Sequence, residues 1–506
     1  MGTASTIAGA RNEHRGLTYW MERVLKELEN VRNSPDPEAV HDLRVALRRC
    51  RSVAAVMEEV DPDRTWPEMR KLGRKLFRQL GALRDTQVLE EWTSKLGAEE
   101  DPVRAHVLSE LTIKETELRE AALRAAAKFD QKNWKRLERG LRNRARRVPL
   151  DGLAAECLAL ERLEAAKELH AQALRSERPG PWHKLRIGVK RFRYTVEALL
   201  PKRYELWGEN LKRMQDLLGD VHDLDVLAET IAQVAAEEPE EARTGWSERI
   251  ASTRHERLET YRQLTLGKTS LWHEWRQGLP HGERLEAAAL ARLRVTDRAL
   301  NENTRRTGQI SRITMKIYDA LTRLQAAAAF TERQFRKVIR AAGYLHGIGV
   351  SLDAHAPHKA ARDFVRNMHV PAGWTKAEWE LLANVVRFHR GEQPGPKHKA
   401  FSRLPEEEQK TVCALAGVLR LARALRKFGC ETSVGLRVEK SVDALIVRVP
   451  GLQDTEEAAA RLAAGKHLLE SVLGKPLILK AVPIPSKVVE LPKKEEMATT
   501  TAVASD

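Results

Sequence analysis

Histidine, arginine and lysine recur along this chain at a spacing that gathers them on one side of a helix. His41, Arg44, Arg48 and Arg51 stand at i, i+3, i+7 and i+10, with Arg49 at i+8. His183, Arg186, Lys190 and Arg193 repeat the pattern, with Arg191 at i+8. At the pitch of an α-helix, each set projects as a cationic stripe about three turns long. Guanidinium groups present a rigid fork of donors that matches phosphate oxygens, and lysine adds a point charge. A single stripe of this kind is more often a solvated surface. A solvated face, however, carries acids at i±4, and here the only acid inside either stripe is Asp42. Two copies with the same residue types therefore point to a polyanion.

The repeat extends beyond the stripes. Leu80-Gly81-Ala-Leu-Arg84-Asp85 corresponds to Leu218-Gly219-Asp-Val-His222-Asp223, and Arg74 and Lys75 align with Lys212 and Arg213. Order and spacing are both kept, which marks a duplicated helical unit. Packing the two copies together would bring their basic faces to one site.

The elements that must position these residues are helical. Residues 12–284 are rich in Leu, Ala, Arg and Glu with apolar residues at helical spacing, as in Leu108–Ala127 and Leu153–Leu174. Breaks at Pro35-Asp-Pro37, Asp61-Pro62 and Pro179-Gly-Pro181 divide them, and the two repeats span about 12–150 and 151–284. Residues 285–310 read as a polar connector, 311–430 as a second helical region, and 431–484 as a small α/β appendix with strands at Ser433–Val438, Ala444–Val449 and Leu477–Val482. The tail, 485–506, has the composition of disorder. The fold class is mainly α.

Bulk properties narrow the partner. A formal charge of +16 favours nucleic acid, an anionic membrane or another polyanion. Aromatics are only 5% and the paired stripes share none, whereas single-strand binders interleave stacking platforms with charge. Nucleic acid therefore enters only as a nonspecific partner, and bare phosphate is preferred. No stretch reaches the length of a membrane span. The N-terminus lacks a signal-peptide core, and its Met1-Gly2…Thr6 is a chance match to an acylation pattern. Cys50, Cys157, Cys413 and Cys430 are scattered, which fits a reducing cytoplasm without disulfides.

Taken together, the His41–Arg51 and His183–Tyr194 stripes and the two Leu-Gly-x-x-x-Asp segments resemble a CHAD domain, a duplicated helical bundle around a basic cavity. The resemblance covers 12–284. It implies binding of inorganic polyphosphate, often with location on polyphosphate granules, and it does not imply catalysis. With the aligned Arg74, Lys75, Lys212 and Arg213 of the repeat, the residues expected to bind phosphate are His41, Arg44, Arg48, Arg49, Arg51, Arg84, His183, Arg186, Lys190, Arg191, Arg193 and His222.

A second histidine set lies downstream. Gly343-Tyr-Leu-His346-Gly347-Ile-Gly349, then His355 and His358, have the spacing of a metal-dependent phosphohydrolase core. With Phe388-His389-Arg390-Gly391, Leu419-Arg-Leu-Ala-Arg423 and Gly373-Trp-Thr-Lys-Ala-Glu378, they resemble the HD-like C-terminal domain of the exopolyphosphatase/guanosine pentaphosphate phosphohydrolase family over 311–485. The acids of that pattern are replaced by Gly347 and Arg423. Hard divalent cations need such carboxylate oxygens, while Arg387, Arg390 and Arg423 would favour an anion.

The expectation is thus a non-catalytic, cytoplasmic polyphosphate-binding protein with no catalytic residues, cofactor or membrane partner. The alternative is a metal-dependent phosphohydrolase using His346, His355, His358 and His389 with a divalent metal. Nonspecific nucleic-acid binding is a third reading. Oligomeric state is not legible.

Overall fold

The computed structural model describes residues 16–484, apart from 34–35, 302 and 331–332. The chain folds into two compact units. One comprises the residues up to Thr304 together with Gly347–Ala383; the other comprises Arg305–His346 and the residues from Asn384 onward.

The first unit is helical and duplicated. Its first half contains α1 (Leu17–Asn33), α2 (Pro37–Met57), α3 (Thr65–Leu72), α4 (Arg74–Leu96), α5 (Pro102–Ala127) and α6 (Gln131–Ala145). Its second half contains α7 (Leu153–Ala173), α8 (Pro179–Leu199), α9 (Pro201–Val234), α10 (Glu240–Thr265), α11 (Leu271–Gln277) and α12 (Gly282–Leu300). The hairpin α1–α2 corresponds to α7–α8, and α4–α5 corresponds to α9–α10; in each hairpin the partners pack side by side. Leu43, Leu47, Leu185, Phe192, Leu211 and Met214 belong to one core shared by both halves. A second core joins the far ends of α4 and α9 to α5 and α10 through Trp92, Val107, Leu227 and Trp246.

Residues 285–310, read from the sequence as a connector, fall largely in α12. Ala288, Ala289 and Leu293 are fully buried there, and the helix packs along α7. Its arginines raise the apparent polarity, but Arg292 is buried against Glu161 and leaves an apolar face intact.

The second unit holds most of α13 (Thr304–Arg323), then α14 (Arg333–Leu345). The short α15 (Gly349–Leu352) and α16 (Pro357–Asn367) return to the first unit. α17 (Lys376–Phe388) begins in the first unit and ends in the second, followed by α18 (Lys399–Ser402) and α19 (Glu406–Lys427). The appendix forms a three-stranded sheet in the order β1 (Arg437–Lys440), β2 (Leu445–Pro450), β3 (Leu477–Val482). β1 runs antiparallel to β2, while β2 and β3 are parallel and joined through α20 (Glu456–Leu473), the crossover that parallel strands require. The tail lies outside the described residues.

Candidate functional site

The two basic stripes sit on α2 and α8. Asp36 caps α2 by accepting from Ala39 N at 2.8 Å, and Pro37 fits the first turn, where its missing N–H costs nothing. Leu43, Leu47, Cys50 and Ala54 are buried along one face, as are Leu185, Val189, Phe192 and Val196 on α8. Gly188 permits close packing of α8 on α7, since a Cβ there would lie 2.8 Å from Leu169 Cδ1. With the apolar residues turned inward, the cations are left on the remaining faces.

α2 packs directly against α8. At their junction is a cavity of about 810 Å³ lined by Arg48 and Arg51 of α2 and by Lys190, Arg191 and Tyr194 of α8. Arg70, Arg162 and Arg292 add cations from α3, α7 and α12; Glu58 and Glu59 are the acids. Those acids pair with Arg70 and Arg162, and Arg292 pairs with Glu161. Among the described residues, Arg48, Lys190 and Arg191 have no such counter-charge. Burial pushes the Lys190 ammonium below its ordinary value, and Arg186, Arg48 and Arg44 push the same way. Arg51 is held by donating to Arg70 O at 2.5 Å and lies over the Phe77 ring at 4.8 Å.

The other marked residues surround this cavity or turn away from it. Arg44 is half-buried, lowered first by desolvation and then by Arg48, with Asp85 opposing. His41 is lowered by burial, and Arg48, Arg84 and Arg44 add to the effect. Arg84 is engaged with Glu91 at 2.7 Å. Arg49 and Arg193 converge on the buried carboxylate of Glu197. His183 and His222 meet, with their Nδ1 atoms 3.4 Å apart. His222 is depressed to about 4 by burial, then by Arg186 and His183. Its neighbour Asp223 is raised to about 6 by burial, with Asp85 and Asp220 raising it further against Arg186 and Arg84. Arg74, Lys75, Lys212 and Arg213 are exposed on α4 and α9 and do not line the cavity.

Three cavity cations, Arg70, Arg162 and Arg292, had escaped sequence reasoning. None belongs to the repeated stripe, so no spacing signal distinguishes it from an ordinary surface arginine.

Comparison with known families agrees with this arrangement. Residues 17–232 match the model described as the CHAD domain, and 297–450 match that of Ppx/GppA phosphatase, domain III. The chain is a fusion of a CHAD domain with a Ppx/GppA-like region. Among solved structures, the CHAD domain from the plant Ricinus communis is 23% identical, covering 52% of this chain and 88% of that one at a TM-score of 0.34. No curated protein matches. No helix among the described residues is long and apolar enough to cross a membrane.

In the Ppx/GppA-like region, His346 and His389 are buried in the second unit with ring centroids 5.4 Å apart. Nδ1 of each bonds a backbone carbonyl three residues earlier, Gly343 O at 3.0 Å and Val386 O at 2.6 Å. Each Nδ1–H therefore donates, which leaves Nε2 with its lone pair. Arg423 donates to His389 O at 3.1 Å, and its charge helps hold both imidazoles far below their ordinary range, after the larger effect of burial. Arg423 is itself lowered to about 10 by burial, then by Arg390, Arg306 and Arg420. His355 and His358 belong to the first unit. Two imidazoles beside a guanidinium do not fit a divalent cation. Among the described residues no three His, Cys, Asp or Glu side chains could hold a metal ion.

Proposed function

We propose that the chain binds inorganic polyphosphate without cleaving it, and associates through that grip with polyphosphate granules in the cytoplasm. The observation that carries this reading is the convergence of Arg48, Lys190 and Arg191, drawn from both repeats, on one cavity, with no ion-pair partner for them among the described residues. Neighbouring cations of one sign repel one another and are stabilised when a polyanion supplies the missing charge. A phosphate chain suits them better than bases do. Phe77 and Tyr194 each carry a cation over one ring face, Arg51 at 4.8 Å and Lys190 at 5.8 Å, which competes with a base for that face.

The test is a competition titration of polyphosphate, RNA and DNA at several salt concentrations, using the wild type and a variant with Arg44, Arg48, Arg186 and Lys190 all changed to Glu. Polyphosphate should bind most tightly, with log affinity falling linearly in log salt, and the variant should not bind. Normal binding by the variant, or equal competition by RNA, would overturn the reading. Hydrolysis by the Ppx/GppA-like region is the second reading, and the buried His346–His389 pair is where it would reside. Metal-stimulated phosphate release that disappears in His346→Ala would establish it.

A further inference from the structure

The basic cavity is not walled by the CHAD match alone. Phe364, Asn367, Met368 and His369, at the end of α16, line it together with the stripe residues. They fall within the stretch matched to Ppx/GppA domain III, yet belong to the first compact unit.

Their position is built rather than incidental. Ala372 N donates to Glu161 Oε1 at 3.2 Å, and the same carboxylate holds Arg292 of the cavity wall. Gly373 takes φ +82°, and a Cβ there would lie 3.0 Å from the Leu285 side chain. Trp374 packs on Cys157, Ala288 and Ala289. The Ser351 hydroxyl donates to Leu300 O, and Trp379 Nε1 donates to Val365 O at 2.8 Å, fastening α17 to α16. Contacts with α7 and α12 thus fix residues 364–369 against the cavity. Asn367 and His369 remain exposed there, presenting an amide and an imidazole.

Resting on the polyphosphate reading, we propose that Asn367 and His369 contact the bound chain, so that the Ppx/GppA-like segment completes a grip begun by the CHAD stripes. Both side chains can donate hydrogen bonds to phosphate oxygens, and charged acceptors strengthen such bonds. A wall on this side leaves a cavity of small-ligand size. A run of phosphates fits a cavity of about 810 Å³, which is too small to take in a nucleic-acid duplex.

The experiment uses the full chain carrying Asn367→Ala with His369→Ala, titrated with polyphosphate of defined length at fixed low salt beside wild type, Arg48→Glu and His369→Lys. Losing two charge-assisted hydrogen bonds should weaken binding about tenfold or more. His369→Lys, which keeps a donor, should retain wild-type affinity. Thermal unfolding of the double variant should match wild type, because both side chains are exposed. Wild-type affinity in the double variant, with binding lost in Arg48→Glu, would sink the role of this wall and leave the CHAD grip standing. Undiminished binding in Arg48→Glu as well would instead overturn the polyphosphate reading itself.

Discussion

Arg49 of α2 and Glu197 of α8 form an ion pair across the contact between the two repeats. Arg193 approaches the same carboxylate at 3.9 Å and donates to Tyr204 Oη at 3.3 Å and Gln215 Oε1 at 3.2 Å. Two helices laden with cations can pack closely only if an acid neutralises the charges caught between them. Glu197 is that acid.

Removing the carboxylate should strand two largely buried guanidinium groups. Glu197→Ala is expected to cost about 3 kcal/mol, the typical penalty for breaking a buried pair from one side. The check is the denaturant midpoint of the transition that reports the CHAD helices. A midpoint equal to wild type would show that the repeats do not depend on this pair.

If polyphosphate runs past Asp223 and His222 as the proposed function has it, its affinity should depend on pH. Asp223, raised to about 6, is largely ionised at neutral pH and opposes an incoming polyanion; it loses that charge as pH falls through 6. His222, depressed to about 4, is neutral over the same range, and a bound polyanion would raise it. Both changes make polyphosphate affinity rise as pH drops from 7.5 to 5. Asp223→Asn should bind several-fold more tightly at pH 7.5, about one kcal/mol for one repulsive charge at a half-buried site, with little gain at pH 5. Affinity that does not vary across this window would contradict the assignment. Stability responds to the two groups in opposite senses. The raised carboxyl takes stability away as pH rises from its ordinary value through 6, and the depressed imidazole does so as pH falls from 6.5 toward 4.

In the second unit, Arg423 stands beside two imidazoles whose Nε2 lone pairs are free by tautomer. Replacing the guanidinium with a carboxylate removes the repulsion and supplies a third ligand of the kind zinc accepts. Arg423→Asp should therefore gain zinc binding by calorimetry where the wild-type chain shows none at the same concentrations. Absence of zinc uptake by the variant would mean that the two Nε2 atoms do not converge.

The duplicated stripes, the helical fold and the small three-stranded appendix were legible in the sequence. Helical periodicity fixes which side of its own helix each residue occupies, and repetition separated a selected pattern from chance. Periodicity carries no information on what that side will face. Only packing turned Arg49 and Arg193 toward Glu197 while Arg48, Lys190 and Arg191 stayed on the cavity. Only packing brought Arg70, Arg162 and Arg292 to that cavity from three other helices, and sent residues 364–369 back to its wall. α12 shows the same limit, because its arginines hid a buried Ala288-Ala289-Leu293 face until α7 was seen to cover it. The sequence by itself determined that this chain carries two matched cationic helices, and with them the expectation of a polyanion partner. Which cations remain free to meet that partner was decided by tertiary structure, because a charge is neutralised by whatever lies nearest in space, however distant in the chain.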